Sequence, residues 1–203
     1  MPYKDKEKQK EAQKKHYLEN KNKYHDSRKK NRKERDIWFR NFKSTLVCEN
    51  CNFNNFLCLD FHHKDAKDKE FGISEAVKLG YSQDRIINEI SKCEVLCANC
   101  HIKKHFVKKT FYHRNNVTKN LNWLNEYKSN FECVDCSEKD CVLLIFHHKN
   151  KEEKTNSISN MVWTGYSVSS LLEEISKCEV LCHNCHRIRH NGNIWSSSSY
   201  LVL

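Results

Sequence analysis

Cys97-Ala98-Asn99-Cys100-His101-Ile102-Lys103-Lys104-His105 decides how this chain is read, because it returns 85 residues later as Cys182-His183-Asn184-Cys185-His186-Arg187-Ile188-Arg189-His190. Two thiols separated by two residues can grip one metal ion from a tight knuckle, and histidines four apart share a face once the segment turns helical. A metal knuckle therefore runs straight into a helix that carries a second set of ligands. Cys-x-x-Cys-His is also the attachment signature of c-type haem. That chemistry needs an oxidising, secreted setting, whereas nothing like a signal peptide opens the chain and only Met1 and Met161 are on hand as axial methionines. A two-Cys, two-His finger needs about a dozen residues between its pairs, and here His101 abuts Cys100.

Composition narrows the class further. Only 38% of the 203 residues are hydrophobic and 31% are charged, so a large core is not expected. Domains below about 70 to 80 residues usually need staples, and twelve cysteines are the obvious ones. Disulfides would require an oxidising compartment, and no apolar run reaches membrane length. The expected setting is therefore intracellular and reducing, cytoplasm or nucleus, with cysteines as metal thiolates and no membrane partner. A formal charge of +10 and an isoelectric point near 9.0 point to a polyanion. Nucleic acid fits better than a membrane surface, because no strongly amphipathic basic helix with an aromatic or leucine face is present.

The offset of 85 holds well beyond the two quoted stretches. It superposes Cys48 on Cys133, Cys51 on Cys136, His62 on His147, His63 on His148, and the block Glu89 to Cys97 on an unchanged copy at Glu174 to Cys182. Trp38, Gly80 and Tyr81 recur as Trp123, Gly165 and Tyr166. Two units are too few for a solenoid, so tandem domains are expected. The organisation read from sequence is a basic arm over 1–35, helical or disordered, a first unit over 36–105, a linker over 106–120, a second unit over 121–190 and a tail over 191–203.

In chain order, residues 1 to 36 hold 14 Lys/Arg against seven Asp/Glu, so most of the net charge sits in the arm. Lys14, Lys15, Lys29, Lys30, Arg32 and Lys33 are its candidate DNA-phosphate contacts, alongside a bland reading as a solvated tail. Ile37-Trp38-Phe39 with Phe42, and Leu121, Trp123, Leu124 and Tyr127, predict short helices packed on each unit. Leu57, Leu59 and Phe61 alternate as one face of a strand that delivers His62 and His63; Val142, Leu144 and Phe146 do the same before His147 and His148. Two helices follow, the second capped by Ser82 with Ile86, Ile87 and Ile90 as apolar positions. Cys93 to Cys97 then makes a second strand ahead of the histidine helix. Tyr200 to Leu203 packs as a strand or not at all.

Cys48, Cys51, Cys97 and Cys100 form one tetrathiolate set, and Cys133, Cys136, Cys182 and Cys185 the other. Closed tetrahedral thiolate sites suit structural Zn2+, one ion per unit. Cys58, Cys93, Cys141 and Cys178 remain, with Cys93 and Cys178 most simply buried small hydrophobes. The first unit keeps His62, His63, His101 and His105, and the second His147, His148, His186 and His190. Adjacent strand residues point to opposite faces, so one histidine of each pair can ligate while its neighbour stays free as a base.

These residues together resemble the HNH endonucleases of the ββα-metal (His-Me finger) class. The likeness is to the zinc-knuckled kind found in phages and large DNA viruses, with Leu-Asp-Phe-His-His over 59–63 and Leu-Cys-Ala-Asn-Cys-His-x3-His over 96–105. It covers about 48 to 105 and 133 to 190. The resemblance implies an α+β chain of two tandem small zinc-stapled ββα-metal domains behind a basic helical arm, acting on double-stranded DNA as a monomeric pseudo-dimer, in the host cell if viral. It makes His63 and His148 general bases that activate water. It makes His62, His101 and His105, and His147, His186 and His190, ligands of a catalytic divalent cation, Mg2+, Mn2+ or Zn2+. Expected products carry 5'-phosphate and 3'-hydroxyl ends. In two places the chain departs from the family. The family's central asparagine falls at Lys92 and Lys177, and lysine cannot accept a hydrogen bond. Asp60 becomes Ile145 in the second unit, so the two sites differ if Asp60 orients a histidine or helps bind metal. The alternatives are a zinc-dependent nucleic-acid-binding protein whose histidines are structural, and a redox or metal-storage protein.

Overall fold

The computed structural model describes residues 6–106 and 115–196. Residues 1–5 of the arm, 107–114 of the expected linker and 197–203, including the Tyr200 to Leu203 segment, lie outside the described residues. The fold is α+β, with eight α-helices and two small two-stranded sheets among the described residues. None of these helices is long and apolar enough to cross a membrane. The chain divides into two compact units, one built from residues 6–45 and 63–93, the other from 46–62 and 94–196.

The first unit begins with α1 (Lys6–Ser44), a single helix of 39 residues with none buried. Lysine, glutamate, glutamine and alanine are strong helix formers, and neither glycine nor proline interrupts this stretch. The arm and the expected short helix around Trp38 are thus one continuous rod, not two elements. α2 (Ile73–Leu79) ends on Gly80 in the left-handed region, φ 84°, and its copy α6 (Ile158–Thr164) ends on Gly165 at φ 80°. Their recurrence in sequence is therefore a recurring helix stop. Arg35 Nε donates to the Val77 carbonyl (3.2 Å), and its guanidinium lies where a side chain at Gly80 would stand.

Ser82 caps α3 (Gln83–Ile90) by accepting from the Arg85 amide. Of the three isoleucines expected to face inward, Ile86 is buried, Ile90 is half-buried and Ile87 is exposed. Glu89 takes the inward position instead, at 1% exposure. It lies three residues after Ile86, on the same face of the helix, whereas Ile87 is a 100° step away.

A 3-10 turn (Phe56–Cys58) leads into β1 (Leu59–His63), which pairs with β2 (Cys93–Cys97) ahead of α4 (Ala98–His105). The copy runs β3 (Leu144–His148), α6, α7 (Val168–Ser176), β4 (Cys178–Cys182) and α8 (His183–Ser196). β3 and β4 are antiparallel, with Leu144 opposite Cys182 and His148 opposite Cys178. Leu57 and Val142, read as strand residues, sit in the turns before β1 and β3 because Asn55 and Asp140 side chains accept backbone amides there. The segment expected as linker becomes helical at Asn115, where α5 (Asn115–Lys128) begins. Val117, Asn120 and Leu124 are buried on it at helical spacing. The tail continues α8 as far as Ser196.

The cores are small. Cys48, Leu59, Val95, Leu96, Cys97 and Cys100 form one, Cys133, Leu144, Val180, Leu181 and Cys182 its copy, and Leu124, Ile158, Met161, Val162, Leu171 and Ile175 a third. A two-stranded sheet over so few residues is marginal by itself, which makes the cysteines within it important.

Candidate metal centres

Each thiolate set is assembled from two knuckles. In the first knuckle the chain reverses through Asn52 and Ser137, both in the left-handed region. Their amides donate to the carbonyls of Cys48 and Cys133 at 2.8 Å. In the second, Cys97 and Cys182 precede the histidine helices and their sulfurs accept from the amides of Cys100 and Cys185. All four ligand atoms of each set lie within 4.8 Å of one another. Sulfurs held about 2.3 Å from a tetrahedral zinc stand about 3.8 Å apart; Cys51 and Cys97 are separated by 3.7 Å, as are Cys136 and Cys182. The donor set and spacing fit Zn2+, and neither pair is a disulfide.

The thiols are primed unequally. Burial would raise Cys48, but amide donors from Cys97, Asn50 and Cys51 outweigh it and bring the thiol down to about 7. Cys133 is lowered in the same way. Burial raises Cys51 and Cys100, takes Cys136 up to about 11 and pushes Cys185 up as well. Four sulfurs this close cannot all carry charge without a cation among them. Of the other cysteines, Cys58 is buried and donates to the Asn184 carbonyl, and Cys93 and Cys178 donate to the carbonyls of Glu89 and Glu174.

The imidazoles form two triads, each with ligand atoms again within 4.8 Å. In the first, His105 Nε2 is 3.2 Å from both His62 Nδ1 and His101 Nε2; in the second, His190 Nε2 is 3.1 Å from His186 Nε2, with the His147 ring packed edge-on against both. Nitrogens about 2.1 Å from one ion lie about 3.0 Å apart at right angles and about 3.4 Å apart at the tetrahedral angle. The triads fit a divalent ion of either geometry. Burial and the neighbouring imidazoles lower His62 and take His186 down to about 4, leaving both in the neutral form that ligates. Burial likewise lowers His147.

The other histidine of each pair turns the opposite way, as alternation along a strand requires. His63 Nε2 meets Glu89 Oε1 at 2.8 Å, and His148 Nε2 meets Glu174 Oε1 at 2.7 Å. Burial would raise both carboxyls. The ammonium of Lys92 or Lys177, the imidazole and two backbone amides outweigh it and hold each at about 2. An ionised carboxylate can only accept, so the imidazole Nε2 is the donor. Lys92 and Lys177 also take part through their backbone: the Lys92 carbonyl accepts from the Lys64 amide, and the Lys177 carbonyl from the Lys149 amide. Sequence reading missed Glu89 and Glu174. The signal was present, a glutamate at an apolar helical position inside a block repeated without change.

His147, His148, His186 and His190 line one cleft of about 330 Å3, with Lys128, Lys151 and Lys154 on its walls. Three lysines beside imidazoles suit an anionic ligand. Lys14, Lys15, Lys29, Lys30, Arg32 and Lys33 all lie exposed along α1; Lys30 and Arg32 face Glu34 and Asp36 one turn on. No protein-family model, curated protein or solved structure matches the chain.

Proposed function

We propose that the chain is a metal-dependent DNA endonuclease with two tandem HNH-like ββα-metal units, each pinned by a structural zinc. The observation that carries this reading is the divergence of each histidine pair. His62 and His147 turn into imidazole triads, while His63 and His148 turn to buried carboxylates. With Nε2 turned to Glu89 or Glu174, Nδ1 of His63 or His148 is the nitrogen left to accept a proton from water. A divalent ion, when bound in the triad, supplies positive charge against that developing on the phosphate and its leaving oxygen. Lys128, Lys151 and Lys154 hold the phosphodiester in the second unit's cleft, and the basic α1 tracks phosphates along the duplex. The expected ends are 5'-phosphate and 3'-hydroxyl.

The two copies act as a pseudo-dimer in one chain, each cutting one strand. Asn99 and Asn184 support this by exchanging bonds reciprocally: the Asn99 amide donates to Asn184 Oδ1 (3.2 Å) and the Asn184 amide to Asn99 Oδ1 (3.0 Å). Such a self-complementary exchange is the signature of a two-fold contact. The test is relaxation of supercoiled plasmid across Mg2+, Mn2+ and Zn2+. His63→Ala/His148→Ala should abolish strand breaks while about two zincs per chain remain, one per tetrathiolate set. Either single variant should turn linear product into nicked circle. Salt-sensitive DNA binding without strand breaks in the unaltered chain would leave only a zinc-dependent binding module.

A further inference from the structure

The two imidazole triads differ in what stands behind them. Asp60 Oδ2 lies 3.0 Å from His101 Nδ1, on the side of the ring away from the nitrogen that faces His105. Asp60 is in turn gripped by both guanidinium nitrogens of Arg187, at 2.7 and 2.8 Å, and Arg187 belongs to the second repeat, next to His186. A carboxylate held by a guanidinium can only accept, so Asp60 takes the hydrogen bond from His101 Nδ1. None of this exists in the second triad. Ile145 replaces Asp60 and Ile102 replaces Arg187 at the matched positions, and among the described residues the His186 ring bonds only to His190. Other surroundings are shared: Glu94 pairs with Lys104 beside the first triad, and Glu179 with Arg189 beside the second.

We infer that the chain has two unequal divalent-metal sites, the first strengthened by an Asp60 carboxylate that Arg187 of the second repeat holds in place, the second a bare set of three imidazoles. The inference rests on the reading of both triads as ion sites. A carboxylate behind a ligating imidazole fixes its tautomer, locks its ring and raises its basicity, and losing such a partner typically weakens metal binding by about 10- to 100-fold. Asp60 and Arg187 are positioning residues: neither is a ligand, and both act through His101. The first site therefore fills first, and it is complete only when both repeats are present.

The full chain, its tetrathiolate sites filled with Zn2+, is titrated with Co2+ and followed by the visible absorption of the added ion and by calorimetry. Two binding events about 10- to 100-fold apart in affinity are expected, the tighter lost in His105→Ala and the weaker in His190→Ala. Asp60→Ile/Arg187→Ile, which gives the first site the second site's residues, should merge the two events. Asp60→Asn, which keeps shape and folding, should narrow the gap by about tenfold. Equal affinities in the unaltered chain, or a gap unmoved in both variants, overturn the inference while leaving the triads as ion sites. Absence of any Co2+ binding beyond the thiolates overturns the inference and the ion-site reading together.

Discussion

Glu89 and Glu174 hold His63 and His148 in place, and they also make the stability of the fold depend on acidity. Each carboxyl is held at about 2 against an ordinary 4.5, at 1% and 3% exposure. A carboxyl lowered in the folded state stabilises fully above the unfolded value, and that contribution is lost as pH falls from about 4.5 towards 2. A shift of this size corresponds to about 3 kcal/mol per residue. Glu89→Gln should remove its share, lowering stability at neutral pH and flattening the acid limb; urea unfolding of both proteins from pH 6 to pH 3 measures this, and parallel limbs would contradict it. At Lys92 and Lys177 the sequence suggested a lost hydrogen bond. In the fold the backbone carbonyl accepts from the amide of Lys64 or Lys149, next to His63 or His148, and the ammonium holds the glutamate.

At the scale of elements, the two-stranded sheets are marginal by themselves, and an ion held by each tetrathiolate set would cross-link their knuckles. Cys97→Ser should lose one of two zincs and speed amide exchange in β1 and β2, while β3 and β4 stay protected; metal analysis with hydrogen exchange reads both. Loss of protection in all four strands at once would show that the two sheets do not unfold separately. α1 is a different kind of element, stabilised by the helix propensity of its residues and not by burial. Its value lies in charge. Replacing Lys29, Lys30, Arg32 and Lys33 with glutamine should weaken DNA binding and lower the salt dependence, log affinity against log salt, by up to about 4 if all four meet phosphates. A slope unchanged by the substitutions would take α1 out of the interface.

For the molecule as a whole, polar contacts join the two repeats. Asn99 and Asn184 exchange bonds across the repeats, Arg187 grips Asp60, and Lys103 pairs with Asp140 at 2.9 Å. Asn99→Ala leaves the Asn184 amide without its partner, an expected cost of about 1 to 3 kcal/mol. If the exchange sets the spacing of two nuclease sites, this variant should keep nicking activity but lose linear product, measured as the ratio of nicked to linear plasmid. An unchanged ratio would mean the copies cut without regard to each other.

The sequence by itself determined the duplication, the two tetrathiolate sets, the imidazole sets and the strand-to-helix order around them. These follow from spacing along the chain, two residues for a knuckle, four for a helix face and one for opposite faces of a strand, except that the choice of His62 and His147 over His63 and His148 as members of the imidazole sets came only from the family resemblance. Tertiary structure alone decided what each histidine faces across space. Glu89 lies 26 residues from His63, Asp60 lies 41 residues before His101, and Arg187 reaches Asp60 from 127 residues away. No local period links such positions. Their partnership depends on burial and charge, which arise only once the strands have paired and the repeats have met.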